Sequence, residues 1–219
     1  MSAFIDIVLW PISVLQGIVG DWGMAIVLAT LLFRLIILPL DMMQTSTSKK
    51  MTELQPQVDA IKEKYRNNQQ AQDKAIMDLY SKAKYNPYLG CLPLLLQIPV
   101  FFALFQGLRE LPQRFGDQVY CFFTIVNDLS ASPADAWNSG LPIASYIVLV
   151  LLFALLTVVP LLVKKDSMGP FPENMRYPYV AGMFVMMLLV AWNCPAGVLL
   201  FWIVCSAVAV VQSFVTLQD

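Results

Sequence analysis

Long apolar runs, separated by polar segments, dominate the pattern of this sequence. A helix needs about 20 residues to cross the roughly 30 Å hydrocarbon core of a bilayer. Four runs have about that length or more, and the last divides into two at the turn sequence 193–197. The pattern therefore predicts five membrane-spanning helices, at about 23–40, 88–108, 141–163, 177–193 and 197–217.

The first twenty residues have a different pattern. Apolar side chains repeat at helical spacing on one side, whereas Asp6, Ser13 and Gln16 gather on another. The segment lacks the basic region and the cleavage site of a signal peptide. We therefore predict an amphipathic helix at 1–20 that lies in the membrane interface on the outer side, followed by the membrane core at 21–219.

The polar segment 41–87 also has a helical pattern. Two such helices pair as an antiparallel hairpin, and Pro56 is expected to kink or interrupt the first of them. The segment is either a docking arm for a cytosolic partner or a solvated linker, and its length favours the arm. Its apolar residues form two series at spacings of three and four: Met51, Leu54, Val58, Ile61 and Tyr65, then Ile76, Leu79 and Ala83.

The composition agrees with a bilayer as the surrounding solvent. Of the 219 residues, 58% are hydrophobic and 13% are charged, against about 25% charged residues in soluble domains. This is too little polar surface to cover a water-soluble fold. We therefore expect an all-α integral membrane protein in which the five helices form a bundle.

Lysine and arginine indicate the orientation of that bundle. Segment 41–87 holds eight of them and segment 164–176 holds three, whereas the opposite side holds only Arg109 and Arg114. Basic residues accumulate on the cytoplasmic side of membrane proteins. We therefore predict an outside N-terminus, a cytosolic C-terminus and cytosolic segments at 41–87 and 164–176.

Candidate chemistry is sparse. The chain has no histidine, and its four cysteines include no CxxC pair, so we expect neither a metal site nor a cofactor. It has no nucleophile with a plausible base and no phosphate-binding loop, which argues against an enzyme. The net charge of −1 gives no indication of nucleic-acid binding. Cys121 and Cys194 fall on the predicted outer side, where a disulfide between them is an open alternative.

Arg34 is the only charged residue inside a predicted span. An arginine at the centre of a membrane helix costs about 2.5–3.5 kcal/mol on insertion scales, and such residues mark functional sites. Asp21 and Asp41 lie at the ends of the first span, so we expect Arg34 to have no carboxylate partner. It either snorkels to the headgroups, roughly 9 Å away at about 1.5 Å per residue, or lies in a water-filled cavity open to the cytosol.

Polar and amphipathic residues on three spans can line such a cavity. Together with Arg34 they predict a hydrophilic groove that attracts a polar or acidic segment of another chain and shortens its path through hydrocarbon. They are Thr30, Gln97, Trp202, Ser206 and Gln212.

The run at 86–104 reads NPYLGCLPLLLQIPVFFAL. It resembles the signature of the YidC/Oxa/Alb3 family of membrane-protein insertases, in the short five-span bacterial form. Further similarities follow in the family's order at 32–40, at 54–56 and at 194–197. The residues that carry the signature are Asn86, Pro87, Gly90, Cys91, Pro93 and Pro99.

The resemblance implies a bundle with a hydrophilic groove open to the cytosol and to lipid. It implies that Arg34 receives the hydrophilic part of a substrate while apolar spans move along the outer helices, without nucleotide hydrolysis. The implied partners are nascent membrane proteins, membrane lipids and, through hairpin 41–87, the Sec translocon, the ribosome and the signal-recognition machinery. We expect the protein to act as a monomer. The short form and the absence of a transit peptide favour a bacterial plasma membrane over an organelle.

A lipid scramblase, a channel or a transporter would use the same polar groove. A proton-coupled carrier normally needs a titratable carboxylate or histidine within the membrane, and the predicted spans contain neither. Lipid scrambling is the alternative that the residues leave open.

Overall fold

The computed structural model describes residues 2–86, 88–116, 120–123, 125–163 and 173–215. Over these residues the chain forms helices and no strand, apart from an isolated bridge between Phe122 and Val126. The predicted all-α class is therefore confirmed. The helices are α1 (Ser2–Val19), α2 (Trp22–Lys64), α3 (Gln69–Lys82), α4 (Tyr88–Arg109), α5 (Leu111–Phe115), α6 (Pro133–Ser139), α7 (Ile143–Val163), α8 (Glu173–Asn193) and α9 (Ala196–Val215).

α2 is a continuous helix of 43 residues. The predicted first span and the first arm of the predicted hairpin are therefore one helix, roughly 65 Å long at about 1.5 Å per residue. It passes through Pro39 and Pro56 without interruption. No glycine occurs between Leu40 and Lys64 to end it, and each proline removes only one intrahelical hydrogen bond.

The apolar half of α2 is sparsely covered by protein. Among the described residues, α2 is the one helix long and apolar enough to cross a membrane by length and composition. Only 28% of its apolar window is buried inside the fold, so most of this stretch faces its surroundings. Shorter apolar stretches lie in α1, α4, α7, α8 and α9.

α2 and α3 form an antiparallel hairpin. Near its turn, the Gln72 side chain donates a hydrogen bond of 3.1 Å to the carbonyl oxygen of Lys62. Farther along, the Tyr80 hydroxyl lies 3.8 Å from the Met51 sulfur, and Val58 is buried. No residue of α3 is buried, so the hairpin projects from the bundle instead of packing into it.

α9 lies at the centre of the bundle, in contact with α2, α4 and α7. Every residue from Ala196 to Phe201 is buried. A Cβ atom at Gly197 would lie 2.7 Å from the Leu108 side chain, so α4 and α9 approach closely there. α1 packs on α2 and α4, and α8 packs on α7.

Loop residues hold the first turn of α9. The backbone N–H groups of Ala196 and Gly197 donate hydrogen bonds of 2.9 and 3.0 Å to the carbonyl oxygens of Ala131 and Leu129. The first N–H groups of a helix have no acceptor within the helix itself. These loop carbonyls therefore satisfy two of them and fix the position at which α9 begins.

The start of α2 is held by the loop that follows α5. The Gly23 N–H donates a hydrogen bond of 3.1 Å to the carbonyl oxygen of Cys121. The Asp21 carboxylate accepts another, of 2.6 Å, from the Phe123 N–H. Cys121 and Cys194 are both free thiols, so the disulfide considered between them is not formed.

A belt of exposed apolar side chains surrounds the bundle. Soluble monomers rarely expose contiguous apolar patches larger than a few hundred Å², whereas hydrocarbon accepts such side chains without penalty. This surface therefore supports a membrane protein. The belt includes Leu35 and Ile36 of α2, Phe102 of α4, Leu151 and Leu155 of α7, and Val185 and Leu189 of α8.

α1 is apolar on two opposite faces. The face that packs on the bundle contains Ile5, Leu9 and Ile12, which are buried. The opposite face exposes a second apolar stripe, which adjoins the side that carries the exposed Asp6. Its members are Ile7, Trp10, Val14 and Ile18.

The close contact at the start of α2 can be tested with a single methyl group. A Cβ atom at position 23 would overlap the Phe122 side chain, including its Cβ. Because Phe122 is fixed by its bridge to Val126, Gly23→Ala should displace this loop and lower stability by about 1–3 kcal/mol. Thermal unfolding of the detergent-solubilised protein measures the loss.

The matched control is Gly182→Ala in α8, where nothing lies within 4 Å of the added methyl group. This variant should be neutral or slightly more stable, since alanine favours a helix over glycine. Equal melting temperatures for the two variants would contradict the close packing at Gly23.

Candidate functional site

Arg34 forms an ion pair within its own helix. Its Nη1 lies 3.3 Å from Oδ2 of Asp41, and the two side chains are 17% and 13% exposed. Seven residues are about two helical turns, so both side chains project from one face of α2. The expectation that Arg34 has no carboxylate partner is therefore wrong, because α2 continues past Leu40 and brings Asp41 onto that face.

Asp41 satisfies only part of the guanidinium. Arginine has five N–H donors, and among the described residues the Nε of Arg34 is buried without a hydrogen-bond partner. The Cys205 thiol of α9 lies near the guanidinium. Arg34 therefore lies at the contact between α2 and α9, with donor capacity left for a further acceptor.

An open cleft of about 560 Å³ lies between α2 and α9. We call it the arginine cleft, because Arg34 lines it together with Gln212. Over the described residues, the lining of this cleft is apolar apart from these two polar side chains. Its apolar lining consists of Leu28, Leu31, Leu32, Leu35, Leu38, Ala207, Val208 and Val211.

Thr30 lines a different cleft. Its hydroxyl donates a hydrogen bond of 2.6 Å to the carbonyl oxygen of Ile26, one turn earlier on the same helix. This second cleft has a volume of about 350 Å³ and lies between α1, α2, α4 and α9, with Pro99 and Phe201 also in its lining. Thr30 is therefore separated from the cleft that Arg34 lines.

Gln97 and Ser206 line neither cleft. Both side chains are half-buried, on α4 and α9 respectively. Of the residues predicted to form one groove, the structure brings Arg34 and Gln212 into the same cleft and distributes the others elsewhere.

Trp202 packs between two aromatic rings. Its indole stacks on Phe101 of α4 and on Phe153 of α7, with ring centroids 4.9 Å apart in both pairs and interplanar angles of 5° and 12°. The stack joins α9 to the helices on either side of it. Trp202 therefore has a packing position, whereas the sequence predicted a groove residue.

Two residues of this site, Asp41 and Cys205, are absent from the predicted set. The interval of seven residues between Arg34 and Asp41 was an available signal for a shared helix face. The proximity of Cys205 depends on the position of α9 along the length of α2. A single sequence contains no signal for that position.

The signature residues cluster around the start of α4. Asn86 is exposed just before this helix, and Pro99 lines the second cleft. Pro87 lies outside the described residues. The side-chain surroundings of Gly90, Cys91 and Pro93 also lie outside the description.

Comparison with known proteins gives consistent matches. A family model described as 60Kd inner membrane protein matches residues 14–219. The membrane protein insertase YidC of Shewanella loihica is 34% identical over 204 residues, which cover 93% of this chain and 34% of that protein. The membrane protein insertase YidC of Fusobacterium nucleatum is 31% identical over 199 residues, which cover 90% of this chain and 86% of that protein.

A solved structure is also similar. A crystal structure described as an active YidC insertase with its first transmembrane domain resolved aligns with a TM-score of 0.68 and 27% sequence identity. The alignment covers 97% of this chain and 46% of that one. This chain thus spans about a third of the Shewanella relative and most of the Fusobacterium relative. The matches confirm the family resemblance predicted at 86–104.

The stack around Trp202 can be tested by truncation. Each stacked aromatic pair contributes about 0.5–1.5 kcal/mol beyond its buried area. Because Trp202→Ala removes both pairs and the buried area of the indole, it should lower stability by roughly 3–5 kcal/mol. Trp202→Phe should lose less, because a ring remains between Phe101 and Phe153. The control is Trp137→Ala, since Trp137 is 66% exposed. A Trp202→Ala variant that melts at the temperature of Trp137→Ala would contradict the packing role.

Proposed function

We propose that this chain, which belongs to the 60Kd inner membrane protein family of YidC/Oxa/Alb3 insertases, inserts nascent membrane proteins into the lipid bilayer and helps them to fold. The observation that carries the proposal is a guanidinium on the wall of a cleft between two helices that is otherwise apolar except for Gln212. Such a site offers a polar contact to a hydrophilic segment and an apolar wall to the hydrophobic segment beside it.

The proposed membrane arrangement has five spans. The spans are the apolar part of α2 and the helices α4, α7, α8 and α9. α1 lies in the outer interface, where its exposed apolar stripe contacts lipid. The N-terminus is outside, and the hairpin, the segment 164–176 and the C-terminus are in the cytosol of a bacterium. The exposed apolar belt and the uneven distribution of Lys and Arg support this arrangement.

Arg34 is the proposed receiving point for substrate. A carboxylate or another acceptor on the hydrophilic segment of a nascent chain binds the guanidinium, and Gln212 offers amide groups at the same cleft. A charge-assisted hydrogen bond of this kind is stronger in an apolar cleft than in water. The charged segment therefore enters a region that would exclude it if the cleft were lined only by leucine and valine.

Transfer needs no nucleotide in this mechanism. The apolar span of the substrate moves from the cleft into the surrounding lipid, where its side chains are favoured over water. Where the moving segment carries a net negative charge, the membrane potential adds about 2.3 kcal/mol per charge for each 100 mV. Partition into lipid keeps the span in the bilayer, and the membrane potential moves the acidic tail outward.

The hairpin is the proposed docking arm. It projects from the bundle, α3 has no buried residue, and segment 41–87 holds eight basic residues. Such a surface suits the ribosome or the signal-recognition machinery, which would deliver substrates to an insertase monomer, alone or beside the Sec translocon.

Arg34 variants test the receiving point. Arg34→Lys keeps a positive charge and should retain most insertion of a single-span protein with an acidic outer tail. Arg34→Ala should reduce this insertion about tenfold or more, because the tail loses its charged contact. Insertion into proteoliposomes, scored by protease protection, measures both variants. A substrate with asparagine in place of each tail aspartate is the control and should respond little. Equal insertion of the acidic substrate by both variants would refute the proposed role.

Replacement of residues 50–84 by a short Gly/Ser linker tests the docking arm. Because α3 packs mainly on α2, the bundle should keep its melting temperature and its activity in proteoliposomes. Delivery of substrates in cells should fall several-fold, as measured by pulse labelling. Unchanged delivery in cells would contradict a docking role for the hairpin.

A further inference from the structure

The arginine that lines the cleft has its own counter-ion. Asp41 holds Arg34 at 3.3 Å from within the same helix, and both side chains are largely buried. The pair leaves the cleft with little net charge before any substrate arrives. A nascent chain thus meets a guanidinium that is already partly neutralised.

This pairing has a stabilising effect on the empty protein. A buried charge whose partner is removed is strongly destabilising, because it is neither hydrated nor compensated. Asp41 supplies the compensation for Arg34 while the cleft contains no substrate. Asp41 engages only Nη1 of Arg34, so the guanidinium retains terminal N–H donors through which a second acceptor can begin to bind.

The same pairing makes substrate binding an exchange. A carboxylate that enters the cleft does not meet a free cation; it competes with Asp41 for the guanidinium. Asp41 is attached to the same helix, so its effective concentration at Arg34 is high. One substrate carboxylate gains little in such an exchange, whereas two carboxylates on one tail can displace Asp41 and engage both terminal nitrogens together.

We propose that Asp41 is a specificity-determining residue, an internal competitor that restricts firm capture at Arg34 to segments with at least two carboxylates. The inference rests on the proposed function, because it assumes that substrate segments reach Arg34. It adds to that function a threshold in substrate charge, set by a residue of this chain.

The test uses the full chain in proteoliposomes with a photo-crosslinking residue at position 211, which lines the arginine cleft. The probes are single-span proteins whose outer tails carry no, one, two or three aspartates, with asparagine at the remaining positions. In the wild-type chain, the crosslinking yield should change little between no and one aspartate and rise at two. In Asp41→Asn, one aspartate should already raise the yield about fivefold or more.

Two controls define the comparison. Asp59→Asn removes a carboxylate from the same helix at the same net charge, roughly 27 Å from Asp41 at about 1.5 Å per residue, and should behave as the wild type. Arg34→Ala combined with Asp41→Asn should give equal yields for all four tails. If Asp41→Asn fails to fold, as judged by its melting temperature, a full rise at one aspartate in the wild type still overturns the competitor role.

The outcomes distinguish a failure of the competitor role of Asp41 from a failure of the proposed insertase function. The competitor role is overturned if the crosslinking yield of the wild type already rises fully at one aspartate. It is also overturned if Asp41→Asn gives the same yield as the wild type on every tail. An equal increase for acidic and neutral tails in Asp41→Asn also overturns it, since the cleft would only have opened. Undiminished insertion by Arg34→Ala would refute the proposed function itself.

Discussion

The unbroken course of α2 is the constraint on which the rest of the structure depends. One helix of 43 residues provides the N-terminal contacts with α1, the wall of the arginine cleft and the first arm of the hairpin. A proline inside a helix costs about 3 kcal/mol, and α2 contains two. Packing on α1, α4 and α9 before Pro39, and on α3 beyond it, offsets that loss. If the helix broke at Pro39, Asp41 would leave the face that carries Arg34.

The ion pair and the aromatic stack stabilise the arginine cleft in different ways. A guanidinium can remain in an apolar cleft only if a neighbouring group compensates its charge, and Asp41 does so without a contribution from another helix. The wall opposite Arg34 must be held in place by other means, because the ion pair does not involve α9. The stack of Trp202 between Phe101 and Phe153 provides this support. Charge compensation is therefore local to α2, and the width of the cleft is set by packing across helices.

Much of the fold was predictable because it follows from local patterns. The helical apolar runs, the seam of the hairpin and the isolated charge of Arg34 are all visible in neighbouring residues. The site was less predictable, because it depends on which faces of separate helices meet. Thr30 and Gln212 both carry polar groups, yet only Gln212 reaches the arginine cleft. The predicted first span ends at Leu40 and therefore leaves out Asp41, although a continuing helix brings a residue seven positions on to the same face.

The hydrogen bonds at Ala196 and Gly197 have a mechanical consequence for α9. They fasten this helix to loop residues at one end, and the stack at Trp202 supports it along its first part. Beyond that support the helix continues about 15 Å to Gln212, along the stretch that lines the arginine cleft. A rod fastened at one end and supported along its first part deflects most at its other end. We therefore expect any displacement of α9 to be largest beside Gln212, where the gap can widen without a shift of the loop that holds the first turn.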